Sequence, residues 1–509
     1  MLLLALLACH DTTIQVGGGI DSPTGGADTT DTVSSDDTAT DAPPIALIAA
    51  LGPASAGSPL TLDGSDSYDP DGDALTAYAW ACGDGQTATG SRATLTFAAG
   101  VQTCTLLVTA NGGLTGTTSA TFTVSDVAAP RAKWTVLVFM NGDNDLEEWA
   151  LGDMNEMEQI GSTDEVNFIV QIDRSPDYSR LDGDWTGTRR FRAEADTSTR
   201  SIGSPVLEDL GETDAGDPET IIDFAEWGIQ RFPADHYMLI LWDHGWGWSI
   251  RADETSALQK GISWDESTNS DISPADGELL QIVDAVDARI GGKLDVLGMD
   301  ACTMANWEIA QQLRDDVHVY LASQDYEGSD GYDYTGFSDL TANPSLDAAG
   351  LASSVALHFH EIPDSTMSAI DLSQMDAVTA GLNNVADALL QSEDPAAMFT
   401  LAAADAQGFD GSRSTDHDLA DMLDKLAAMD TTADGADPAT ASIVAAALDA
   451  RSALDDAIIV NYNQGGRVKD ANGLSLYSPV QGRVENSWFT ATWAAETTWG
   501  DFLKVARGR

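Results

Sequence analysis

Positive charge is what this 509-residue chain lacks most: 24 Lys and Arg face 82 Asp and Glu, for a formal net charge of -58. Such a surface repels nucleic-acid phosphates and anionic lipid headgroups, so neither is an expected partner. Basic peptides and divalent cations are the natural electrostatic complements, and solubility in a salty or extracellular medium accounts for the same charge. Cysteine is scarce too. Cys9, Cys82, Cys104 and Cys302 include no CxxC pair, which argues against a structural zinc cluster. Long apolar runs are missing as well: no stretch reaches the roughly 18 residues a spanning helix needs.

The first segment, residues 1–9, is short and apolar and ends "LLAC". It resembles the tail of a bacterial lipoprotein signal, in which Leu6, Leu7 and Ala8 precede the cysteine that is cleaved and lipidated. The expectation is therefore a lipid on Cys9 and an outer-membrane or cell-surface location, with plain secretion as the alternative. His10 at the next position is compatible with outer-membrane sorting. Residues 10–43, rich in Thr, Asp, Ser and Gly, have almost nothing to bury and are expected to act as a flexible tether.

Between 44 and 127 the texture becomes short alternating runs separated by Asp63-Gly64, Asp71-Gly72 and Asp84-Gly85 turns. The segments "ATLTF", "TCTLLVTA" and "SATFTVSD" carry the two-residue period of half-buried strands, and about seven such strands predict a β-sandwich. "DGSDSYDPDGD" followed by "YAWACGDG" resembles PKD-type immunoglobulin-like modules. Cys82 and Cys104 fall on separate strands there, and an exported protein can join them. The acidic turn from Asp66 to Asp73 reads as a solvated turn with calcium as the rival reading.

From 130 to 509 the pattern changes again. Apolar runs at 134–140, 166–172, 237–242, 294–299 and 319–323 alternate with helix-like segments, such as one placing Leu146, Trp149, Ala150 and Met154 on a stripe. That alternation predicts an α/β domain with a mostly parallel sheet covered on both faces, whose ligands bind at carboxyl ends of strands. His244 follows the run "YMLILW" at such an end, and Cys302 follows "LDVLGM" at the next. A thiol there is predicted to be activated by the amino terminus of the helix that follows, and a Cys–His pair is the arrangement for nucleophilic acyl transfer.

"WDHG", "DAC", "FMNGDNDLE" with "DMNEME", "SQDYEGSDGYDY" and "GLSLYSP" occur in order over roughly residues 130–480. The set resembles the clostripain family of cysteine peptidases, whose fold is caspase-like. The resemblance implies His244 and Cys302 as the catalytic pair, Gly245 as an oxyanion donor, and Asp300 and Asp330 as pocket acids for an Arg or Lys side chain, Arg favoured. It implies no third triad member, and Asp243 is left out of the catalytic set. It also implies calcium as a cofactor, with ligands left open, and self-cleavage in the polar segment between His244 and Cys302, at Lys260 rather than Arg251. The rival functions are a cysteine-dependent transpeptidase and a lipid-tethered adhesion protein.

Overall fold

The computed structural model describes residues 42–49, 51, 54–57, 59–125, 131–251, 259–359, 363–409, 415–432, 437–479 and 484–506. Cys9 and the tether up to residue 41 lie outside them. Two compact units divide at Arg131 and Ala132.

In the first unit, β1 (Ala54–Ser55), β2 (Pro59–Asp63), β3 (Leu75–Cys82), β4 (Thr87–Thr89), β5 (Arg92–Thr96), β6 (Gly100–Ala110) and β7 (Thr115–Ser125) make a five-stranded sheet, β1-β7-β6-β3-β4, and a β2-β5 pair. Leu62, Trp80, Leu106 and Val108 supply its apolar core. Cys82 lies opposite Cys104 in the β3–β6 register, and a disulfide joins them with a Cα–Cα distance of 4.0 Å.

The second unit is built on a nine-stranded sheet in the order β11-β10-β9-β8-β12-β16-β17-β18-β20. Its middle comprises β8 (Ala132–Gly142), β9 (Val166–Arg174), β12 (Ala234–Trp242), β16 (Leu294–Asp300) and β17 (Val317–Ala322). These five run parallel. Antiparallel strands β10 (Thr188–Arg192) and β11 (Val206–Gly211) extend one edge, and β18 (Thr366–Asp371) and β20 (Ile458–Asn463) the other. Strand parity sorts the core: Leu239 and Leu241 of β12 join one apolar cluster, while Met238, Ile240 and Trp242 join the other.

Helices cover both faces, as the alternation predicts. In chain order they are α1 (Glu147–Ile160), α2 (Pro218–Arg231), α3 (Glu278–Ile290), α4 (Trp307–Leu313), α5 (Ser338–Ala342), α6 (Ala348–Leu357), α7 (Met375–Leu390), α8 (Pro395–Ala403), α9 (Leu419–Ala427), α10 (Thr440–Ala457) and α11 (Trp499–Ala506). The starts of α2, α6, α8 and α9 carry an aspartate cap, from Asp217, Asp347, Asp394 and Asp418. Asp217, for example, accepts the Glu219 N–H just ahead of α2, whose first residue is Pro218. On α1, Ala150 and Met154 are buried as expected, but Trp149 is 40% exposed and belongs to the solvent side of the helix.

The segment after His244 departs from the expected polar linker. It forms a small sheet of β13 (Gly245–Arg251), β14 (Gln259–Asp265) and β15 (Ser270–Ile272), in which Ile262, Ser263, Asp265 and Ile272 are buried. A last pair, β19 (Asp416–Asp418) and β21 (Ser475–Tyr477), lies near Asn306 through an Asn306–Ser475 bridge.

Candidate active site

β12 and β16 are adjacent, parallel and end in register, with Trp242 opposite Asp300. His244 and Cys302 each follow that pair by two residues, so the sheet delivers both to one edge, where they line a common cleft. They are 6% and 4% exposed. The turns carrying them are pressed together. A Cβ placed on Gly245 would lie 2.2 Å from the Cys302 carbonyl oxygen and 2.9 Å from its amide nitrogen, which only glycine tolerates.

Beyond Cys302 the chain is strained. Thr303 has φ 59°, the left-handed region that a β-branched residue rarely adopts. The Thr303 N–H donates to Asp325 O at 3.0 Å, and the Ala305 N–H donates to Ser323 O at 2.7 Å, so the 323–327 loop holds this turn along its length. Glu327 O lies 3.7 Å from Cys302 Sγ. The expected helix amino terminus is not at the cysteine. Helix α4 begins only at Trp307, after the left-handed turn, and spans seven residues. The distorted turn is needed to bring the backbone of Cys302 against Gly245, and it postpones the helix.

The imidazole of His244 is held from its far side: Nε2 lies 2.8 Å from Asp145 Oδ1. Burial works to raise the Asp145 carboxyl, but the hydrogen bond and charge of His244 outweigh it and hold it below its ordinary value. Trp246 and Trp264 flank the ring with centroids at 5.4 and 6.5 Å. Asp243 has a different task. Its Oδ1 accepts from Asn144 Nδ2 at 2.8 Å and from the His244 backbone N–H at 2.6 Å. Burial pushes its carboxyl up to about 8.

Asp300 lines the same cleft, and it caps no helix. Its oxygens accept the Tyr332 N–H at 3.0 Å and the Tyr334 hydroxyl at 2.9 Å. The carboxyl set against it is that of Glu327, whereas Asp330 is exposed on the same loop, with its charge felt by the buried Asp153. Burial raises both the Asp300 and the Glu327 carboxyls. Trp242 Nε1 donates to Asp153 Oδ2 at 2.7 Å behind them.

A second acidic group sits on the other arm of the loop that ends at Asp145. One oxygen each from Asp143, Glu212 and Asp265 lies within 4.8 Å of the others. Asp143 is fully buried, and neither of its oxygens makes a hydrogen bond; the buried Asp173 Oδ2 makes none either. Burial first, and then the charges of Glu212, Asp265 and Asp143, push the Asp173 carboxyl well up. An all-oxygen, multiply anionic cluster with orphaned buried atoms suits a hard divalent cation.

Comparison with known proteins follows the same geometry. The clostripain family model matches residues 138–505, and a PKD domain model matches residues 41–125. The chain belongs to the clostripain family. Clostripain of Hathewaya histolytica is 31% identical over 194 residues, 36% of this chain; the match spans only 36% of that relative's length. The secreted C11 cysteine protease of Bacteroides thetaiotaomicron, solved with an irreversible peptide inhibitor, superposes with a TM-score of 0.52 at 16% identity. It covers 74% of this chain and 100% of its own. An inactive zymogen C11 protease from Parabacteroides distasonis gives a TM-score of 0.51 at 17% identity, covering 73% of this chain and 99% of its own. These two solved structures support the fold.

Within this clostripain-family site, sequence reading placed His244, Gly245, Asp300 and Cys302 on two neighbouring strand ends, and the structure brings those four together. It missed Asp145, Glu327 and the Asp143 cluster. Asp145 and Asp143 sit in "NGDNDLE" and Glu327 in "SQDYEGSDGYDY", words already singled out, but neither word shows which acid points where. Lys260 is the second residue of β14, its backbone paired with Ile250, and Gly261 after it is buried with φ 63°.

Proposed function

We propose that the chain is a cysteine endopeptidase that cleaves after basic residues, Arg before Lys, with Cys302 as nucleophile and His244 as proton carrier. The observation that carries this is the shared cleft in which His244, Cys302, Asp300 and Glu327 meet. The Cys302 thiolate adds to the scissile carbonyl carbon, and the oxyanion is met by the Gly245 N–H. The His244 imidazolium then gives its proton to the leaving amine as the carbon–nitrogen bond breaks, leaving a thioester. Water, losing its proton to His244, attacks that thioester and restores the thiol. Asp300 with Glu327, and Asp330 at the entrance, select the positive side chain, and the acidic surface draws basic peptides in.

The Asp143, Glu212, Asp265 and Asp173 carboxylates would hold the cation, calcium by their chemistry, and its charge would neutralise their mutual repulsion. Export is the natural location: the Bacteroides relative is a secreted protease, and the Cys82–Cys104 disulfide suits an oxidising compartment. A lipid on Cys9 would tether the protein to a membrane, which mass spectrometry of the mature chain reads directly. Self-cleavage at Lys260 requires the β13–β14 pairing to open, and it is read by comparing wild type, Cys302→Ala and Lys260→Ala for nicking.

The decisive experiment measures turnover, with a reductant present, of peptides carrying Arg, Lys, Asp or Leu before the cleaved bond. Wild type should cleave the Arg peptide best, and Cys302→Ala should lose essentially all activity. Full activity in the alanine protein would end the mechanism, and a preference for Asp would end the pocket assignment. Mass spectrometry of the products separates hydrolysis from ligation to an added amine.

A further inference from the structure

We propose that Glu327 is the second carboxylate of the pocket for the basic side chain and sets the preference for a guanidinium, an assignment that rests on the basic-substrate reading above. Glu327 is 6% exposed, yet neither carboxylate oxygen makes a hydrogen bond of ordinary geometry with any described donor. A buried carboxylate left that way is costly unless something arrives to pair with it. Its surroundings offer no cation paired with it among the described residues. Among the described residues, none of Glu327, Asp300 and Asp153 forms an ion pair with Arg or Lys. Tyr332 spends its donors on Asp300 and on the backbone of β16 and β17, Tyr334 gives its hydroxyl to Asp300 and its N–H to Glu156, and neither reaches Glu327.

Position identifies the partner. The Glu327 backbone carbonyl stands beside Cys302 Sγ, while its side chain lines the cleft with Asp300 and His244. Anything the Glu327 carboxylate pairs with is therefore next to the nucleophile. Asp300 lines the same cleft as Glu327, and its charge bears on the Glu327 carboxyl. Two carboxylates side by side suit the planar, multi-donor fork of an arginine better than the compact ammonium of a lysine. Burial, then the Asp300 charge, favours a protonated Glu327 in the empty pocket, while a nearby Ala301 N–H favours the ionised form more weakly. An entering cation tips that balance, and the Glu327 proton passes to solvent.

The test compares three peptides that differ only before the cleaved bond: Arg, Lys and the neutral isostere citrulline. The readout is the ratio of kcat/KM for Arg to that for citrulline in wild type, Glu327→Gln and Glu327→Asp, with melting temperature and the rate of Cys302 alkylation by iodoacetamide as checks on the fold and the site. Glu327→Gln should lower the Arg-to-citrulline ratio by about 10- to 100-fold, the range for one charge-assisted contact, chiefly through KM. Glu327→Asp, which retracts the charge by one methylene, should lower it by about threefold or more; that variant decides the matter if the glutamine protein does not fold. An unchanged ratio, or an equal loss on Arg and citrulline peptides, overturns the assignment and makes Glu327 merely structural. A wild-type enzyme that cleaves citrulline as well as Arg overturns the basic-substrate reading itself, and a wild-type preference for Lys over Arg overturns the guanidinium preference alone.

Discussion

At the scale of single residues, the site depends on acids in distinct environments. Asp145 holds the ring of His244 while its own side chain stays 57% exposed, so its loss should cost catalysis rather than stability. Asp145→Ala should lower kcat about tenfold, as expected for one partly solvated hydrogen bond to a charged ring, with KM and melting temperature nearly unchanged. Steady-state kinetics beside a thermal melt would show it, and a variant with wild-type kcat would remove Asp145 from the machinery. Reading residues one at a time explains why this acid was overlooked. Asp243, next to the histidine, is the acid a sequence suggests, but it holds the His244 backbone N–H. The residue that reaches the ring lies 99 positions upstream. Sequence spacing carries no trace of such a contact.

At the scale of elements, the central strands were legible and the edges were not. β8, β9, β12, β16 and β17 carry the apolar runs because both of their faces are covered, and such runs stand out in any sequence. β11, "VLEDLG", is an edge strand with half its residues exposed, and β20, "IIVNYN", is nowhere fully buried, so neither carries that signal. β14 was hidden by Ser263 and Asp265, polar residues buried because Ser263 donates to Ala215 O and Asp265 accepts from Ala215 N–H. Apolar periodicity marked the helix-like segments but could not reveal the left-handed Thr303 that delays α4. The contact between the two site turns gives an element-level prediction. Gly245→Ala should cut turnover more than about 100-fold, because its methyl would displace the Cys302 backbone, and misplacements near 1 Å have that effect. Gly152→Ala on α1, whose added methyl meets nothing within 4 Å, is the control and should raise the melting temperature slightly. Equal kinetics for the two variants would show that the turns are not interlocked.

At the scale of the whole molecule, excess negative charge is built into the interior as well as the surface. Burial pushes the Asp243 and Glu308 carboxyls up to about 8 and that of Asp418 to about 6. Burial also raises the Asp153, Asp173 and Glu327 carboxyls well above their ordinary values. An acid whose native pKa lies above its unfolded value binds more protons when folded, so stability falls as pH rises between the two values. For Asp243 and Glu308 that interval runs from about pH 4 to about 8, and for Asp418 from about pH 4 to about 6. His417, pushed down to about 4 by burial, acts in the opposite direction: it must stay neutral when folded, and stability is lost as pH falls from about 6.5 toward 4. Without divalent cations, the melting temperature should therefore rise as pH drops from 8 to about 6 and level off or turn below that. The net charge of -58 reinforces the alkaline loss through self-repulsion. Calcium should oppose it at one place. At pH 8 it should raise the melting temperature of wild type, because the Asp143 cluster gains a counter-charge available only in the fold. Asp143→Asn should lose most of that calcium response while keeping the pH response, since Asp243, Glu308 and Asp418 are untouched. Melts of both proteins at pH 6 and 8, in chelator and in calcium, separate the two effects. A higher melting temperature at pH 8 than at pH 6 in chelator would refute the buried-acid account, and an undiminished calcium response in Asp143→Asn would place the cation elsewhere.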